Sequence, residues 1–185
     1  MSALVHDGCA ADAVGMTPDQ QPGPAGAFTA LILAAPGRVE FAESRPAAGQ
    51  TGRNLDRILV HLHRWRPDVF PSQSRLDYVI VNSVSTVLYR AKNGRGMPTD
   101  AEVRDMANVG RLRLLLPSDL RHLVAFSDPA ATAVGLVGRE PVFRARHPGL
   151  QLINRRYFAT GATGKLRAEE RCRLFARDML GMPTS

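Results

Sequence analysis

A proline–glycine loop, a side-chain amide and an imidazole, each following an apolar run, hold the most chemistry in this chain. Ala34-Ala35-Pro36-Gly37-Arg38-Val39-Glu40 closes the first run, Asn82 closes the second, and His147-Pro148-Gly149-Leu150 follows the last. A Pro-Gly loop lets a ligand approach the backbone closely and offers its N–H groups as donors. An amide presents a donor and an acceptor side by side, which suits one edge of a planar heterocycle. An imidazole can stabilise negative charge as it develops. Taken singly, Asn at a strand end is also an ordinary capping residue, and Pro-Gly an ordinary turn. Of five histidines, only His147 sits in a His-Pro pair after a strand; His61 and His63, two apart on one helix, read as surface or packing residues.

The elements that must position these groups follow from periodicity. Residues 28–35 form a short apolar run ended by Pro36-Gly37, a buried-strand signal. Residues 52–65 carry Leu55, Ile58, Leu59 and Leu62 on one helical face, with Pro67 and Pro71 beyond. A second strand is expected over 76–81, and a helix over 100–115 between Thr99 and Pro117. A third strand over 120–126 leads into Asp128-Pro129, a good start for a helix to about 136. The last strand, 141–145, runs into His147, and 165–180 reads as an amphipathic C-terminal helix. Strands alternating with helices predict a three-layer α/β/α fold around a central, mainly parallel four-stranded sheet. All three chemical stretches then fall at the carboxyl edge of that sheet, where open α/β sheets bind ligands. Residues 1–27 show no periodicity and read as a flexible leader to a single domain over 28–185.

The order and spacing of these stretches resemble the uracil-DNA glycosylase superfamily, most closely its iron–sulfur branch, over about residues 28–158. Leu31 through Gly37, then Glu40, Arg45-Pro46, Gly49, Gly52 and Leu55, match that branch's first motif without a gap. Asp77-Tyr78-Val79-Ile80-Val81-Asn82-Ser83-Val84 resembles its strand ending in Asn, and Asn93, Arg95, Pro98 and Glu102 echo the segment after it. Leu123-Val124-Ala125-Phe126 with Ala130-Ala131 resembles its third strand and helix, and His147-Pro148-Gly149 stands where the family has His-Pro-Ser. Four features in one order are far more specific than any one alone.

The departures are as informative. That branch ligates its cluster with four cysteines, whereas this chain has only Cys9 and Cys172, and Ala107 stands about where one ligand would be. No cluster, metal or other cofactor is expected. Ala34 and Ala35 fill both places where other branches carry a water-positioning acid or amide, and Ala47 replaces the uracil-stacking Phe. Phe41 is the nearest aromatic substitute.

The resemblance implies a monomeric enzyme that hydrolyses deoxyuridine in DNA, single- or double-stranded, to free uracil and an abasic site in base excision repair. His147 is then the catalytic residue. Ala34, Ala35, Pro36, Gly37, Phe41, Gln50 and Asn82 form the base pocket, with Asn82 reading uracil's O4 and N3–H edge. Thr51, Arg53 and Asn54 contact phosphates from a helix start, as do Arg155 and Arg156, and Gly149, Leu150 and Leu152 belong to the loop that probes the duplex. Glu40 is the nearest carboxylate that could serve as a base. Two alternatives stand beside this reading: a uracil- or damage-binding protein without activity, and a glycosylase for another deaminated base such as hypoxanthine or xanthine, for which small Ala47 leaves room.

Composition agrees with a nucleic-acid partner. The chain of 185 residues carries a net charge of +7 and a pI near 10.4, and only Lys92 and Lys165 are lysines. Arginine forks match phosphate oxygens in pairs, and neutralised phosphates release counterions. A hydrophobic fraction of 44% suits a globular domain with a sizeable core. Neither a membrane span nor a secretory signal is expected, and two cysteines make no disulfide framework, which points to the cytoplasm.

Overall fold

The computed structural model describes residues 16–183. Its elements, in chain order, are β1 (Gln20–Gln21), β2 (Thr29–Leu33), α1 (Arg38–Glu43), α2 (Gly49–Trp65), a 3-10 turn (Arg75–Asp77) and β3 (Val79–Asn82). Then come α3 (Arg90–Asn93), α4 (Asp100–Arg104), α5 (Met106–Leu115), β4 (His122–Phe126), α6 (Asp128–Leu136), β5 (Phe143–Ala145), α7 (Leu150–Arg156) and α8 (Gly164–Met179).

The sheet order is β1-β3-β2-β4-β5, with β2 through β5 parallel and β1 antiparallel to β3. The sheet therefore has five strands rather than the expected four. The fifth, β1, lies within the stretch read as a leader: Gln20 and Gln21 pair with Val81 and Ile80, and Gln21 reaches the Tyr78 carbonyl at 2.9 Å. Residues 16–27 are thus bound to the sheet edge, while residues 1–15, with Cys9, lie outside the described residues.

Burial on both faces explains why the strands are continuously apolar. Leu31, Leu33, Ile80, Val124 and Phe126 point to a core shared with Leu55, Ile58, Leu59 and Leu62 of α2, Ile153 of α7 and Phe175 of α8. Ala30, Ile32, Val81, Leu123 and Ala125 point the other way, to Val103 of α4, Leu112 of α5 and Ala133 of α6. These two cores give the three α/β/α layers. Strand order reverses at β2, whose neighbours are β3 and β4, so the β2–β4 carboxyl edge is the switch point at which such folds open a crevice.

The helix expected over 100–115 is two helices. Asp105 leaves the helical path with ψ 134° and its carboxylate accepts from the Ala107 and Asn108 amides, capping α5. α2 begins at Gly49, earlier than expected, because Gly52 can lie against the Ala47 carbonyl, where a Cβ would come within 1.8 Å. Among the described residues, no helix is long and apolar enough to cross a membrane.

Candidate active site

The carboxyl edge gathers the loop after β2, the end of β3, the N-terminus of α6 and the loop after β5. His147 lines a cleft of about 560 Å³ there, with Arg144, Arg146, Tyr157, Asp178 and Ser127 at the start of α6. Burial holds the His147 imidazole below the ordinary histidine pKa, so the ring is neutral near pH 7 and carries one N–H to donate. Gly149 permits this placement, since a Cβ at 149 would meet His147 Nδ1 at 3.0 Å.

Asn54 fixes the loop. Its Nδ2 donates to the Pro148 carbonyl at 3.0 Å across 94 residues of chain, and its Oδ1 accepts from Gln50 Nε2 at 2.8 Å. Asn54 is buried at 1% exposure, so it ties the His147 loop to α2 and is not a phosphate contact. Gln50 is also bonded on its other side, where its Oε1 accepts from Arg53 at 2.9 Å. Thr51 and Arg53 sit on the first turns of α2, with Arg53 exposed.

Asn82 is 1% exposed, and its Oδ1 is a buried acceptor with no partner. Such an atom costs about 1–3 kcal/mol if left dry and unpaired. The amide orientation is set by Nδ2, which donates to the Pro18 carbonyl at 3.4 Å; the flipped amide would oppose two oxygens. Asn82 registers with Leu33, so its side chain faces the α2 and α8 layer, the same side to which Asn54 ties the His147 loop. It does not line the His147 cleft.

The loop after β2 departs from the expected cradle. Ala34 is buried, with its carbonyl taking the Ser83 hydroxyl, and the Pro36 carbonyl accepts the Leu88 amide at 2.8 Å. The Gly37 amide, a proposed donor to a ligand, instead donates to Glu40 Oε2 at 3.2 Å and starts α1. Burial raises the Glu40 pKa, while the Gly37 amide bond acts the other way. Ala35 is half-buried beside them. Phe41 is 62% exposed on α1, a helix with no buried residue.

The loop after His147 is helical from Leu150, with Gly149 at the N-cap. Leu150 is 44% exposed on the first turn, whereas Leu152 packs against the core beneath α7. Leu152 also lines the His147 cleft, and Leu150 is the more exposed of the two. Arg155 is exposed at the end of α7. Arg156 meets Asp178 at 3.3 Å, and the Tyr157 hydroxyl donates to the same carboxylate at 2.7 Å. Burial first, then Asp178, pushes the Tyr157 phenol up to about 12. Ser127, Tyr157 and Asp178 were not marked by the sequence: they carry no motif, and only the fold brings α6 and α8 to the cleft.

An iron–sulfur cluster does not fit the residues present. Ala107 is an exposed residue of α5 with no ligating atom, and Cys172 is buried in the core, its thiol pushed up to about 11 by burial. Among the described residues, no group of three His, Cys, Asp or Glu side chains is placed to hold a metal ion.

No protein-family model matches this chain, and no curated protein matches it.

Proposed function

We propose that the protein is a DNA glycosylase that hydrolyses the bond between deoxyribose and uracil, releasing uracil and leaving an abasic site. The observation that carries this reading is the buried, unpartnered Asn82 Oδ1, held on the sheet face to which Asn54 anchors the His147 loop. Uracil presents N3–H, the donor that this acceptor lacks, whereas cytosine presents a bare N3. A site with a buried acceptor rejects a base that leaves it unpaired.

The flipped base would lie between Asn82 and His147 at the carboxyl edge. The C1′–N1 bond breaks with its electron pair on uracil, and negative charge develops at O2. A neutral His147 imidazole donates its N–H to that oxygen. Water adds to C1′ and releases a proton to solvent. Ala34 and Ala35 supply no base to this water, and Glu40 faces the Gly37 amide, so the reaction forgoes a contribution of about 10²–10⁴. The protein works as a monomer in the cytoplasm, with DNA held by its arginine-rich surface.

A second reading, a binding protein without activity, is favoured by the Gly37 amide being taken by Glu40 and by Asn82 lying outside the His147 cleft. The test is a set of labelled oligonucleotides carrying one uracil, hypoxanthine, xanthine or no lesion, followed by alkaline cleavage and a mobility shift. Strand cleavage at uracil alone supports the proposal. Cleavage at hypoxanthine or xanthine instead moves the substrate class. A shift without cleavage supports the binding protein.

A further inference from the structure

Asn82 is held by a closed ring of three contacts that its own strand does not provide. Its backbone N–H donates to the Asp19 carbonyl at 2.8 Å. Asp19 Oδ2 accepts from Arg111 Nη1 at 2.8 Å, and Arg111 Nη2 donates to the Asn82 carbonyl at 2.8 Å. Both members of the ion pair are mostly buried, at 21% and 16% side-chain exposure. Arg111 is itself fixed by Asn108, whose Oδ1 accepts from Nε at 3.1 Å and whose Nδ2 donates to the Ser83 carbonyl at 2.8 Å. Pro18, next to Asp19 in the 16–27 segment that straps the sheet edge, supplies the carbonyl that takes the Asn82 side-chain amide.

The strap therefore does two things at one residue. It holds the Asn82 N–H, opposite the carbonyl that Arg111 of α5 holds, and through Pro18 it binds Nδ2, which leaves Oδ1 as the unpartnered atom of the amide. An asparagine free to rotate would accept either base edge: Oδ1 meets uracil N3–H in one orientation, and Nδ2 meets cytosine N3 in the other. We infer that Asp19 and Arg111 are positioning residues for base selection, locking the Asn82 amide in the orientation that reads an imide N–H. This rests on the glycosylase reading above. A fork is needed for the task, because Arg111 reaches the Asp19 carboxylate and the Asn82 carbonyl with different nitrogens, which one ammonium does not reproduce.

The test compares single-turnover release of uracil and of cytosine, from otherwise identical oligonucleotides, by the full chain and by Asp19→Asn, Asp19→Ala and Arg111→Lys. Both rates are read on the same preparation, so a loss of folded protein cancels in their ratio. The expected result is a uracil-to-cytosine ratio lowered at least about tenfold, the equivalent of about 1.4 kcal/mol, in Asp19→Ala and Arg111→Lys, with a smaller drop in Asp19→Asn. An unchanged ratio in all three variants, with the unaltered chain active, overturns the positioning role alone. An unaltered chain that releases no uracil overturns the glycosylase reading, and the positioning role with it.

Discussion

Replacing Asn54 with alanine removes one side chain and its bonds to Pro148, to Gln50 and, at a longer 3.5 Å, to Arg57. Asn54 Nδ2 is the donor to the Pro148 carbonyl, and Asn54 Oδ1 is an acceptor for Gln50. Gln50 is half-buried and also donor to nothing else among its hydrogen bonds, but it lies at the helix surface where water can replace Asn54. Pro148 is buried, so its carbonyl keeps most of its desolvation cost. That cost is about 1–3 kcal/mol, which for a domain of this size corresponds to a melting midpoint lower by about 4–8 °C at the central value of about 2 kcal/mol. Asn54→Asp separates the hydrogen bond from packing: it keeps the shape and the acceptor for Gln50 but sets a carboxylate oxygen against the Pro148 carbonyl. Its deficit near pH 7 therefore matches or exceeds that of the alanine variant, and shrinks in acid, where a protonated carboxyl can donate. Thermal unfolding followed by circular dichroism at both pH values reads this directly. A wild-type midpoint in Asn54→Ala, or an Asn54→Asp variant as stable as wild type near pH 7, refutes the anchoring role.

Gly149→Ala sets a methyl group 3.0 Å from His147 Nδ1, so the ring or the loop must move. Uracil release slows by about 10² if the imidazole is displaced by about an ångström, with little change in DNA affinity; parallel rate and binding titrations check it. Gly52→Ala collides with the Ala47 carbonyl, which is backbone and cannot swing aside, so a loss of about 3 kcal/mol or more is expected in urea unfolding. The lowered His147 pKa has a definite sign: as pH falls through about 6.5 the unfolded chain binds a proton that the folded chain resists, so stability drops below that pH and is insensitive to this group above it. Urea midpoints measured from about pH 7.5 to about pH 5 record the drop, and His147→Gln shows less of it.

The parallel strands were legible because a strand buried on both faces must be apolar throughout, as Leu31, Ile32, Val124 and Ala125 are. β1 escaped because two glutamines carry no pattern; their pairing with β3 is a property of the edge, not of their side chains. α1 escaped for a related reason, since none of its residues is buried and no apolar stripe marks it. At the site, sequence order placed Asn82 and His147 at one sheet edge, yet assigned Asn54 to phosphate. Its true partner is a carbonyl 94 residues away, and a polar residue between Arg53 and Leu55 gives no sign of facing inward. The Asp19–Arg111 pair spans 92 residues and was invisible for the same reason.

Release of uracil by the His147→Ala variant tests the central claim most directly. Under single-turnover conditions, with an oligonucleotide carrying one uracil, the account predicts that the full chain frees the base. The alanine variant, equally folded, should be slower by about 10² or more, the usual loss when one donor to a developing oxyanion is removed. Equal rates for the two proteins would contradict it.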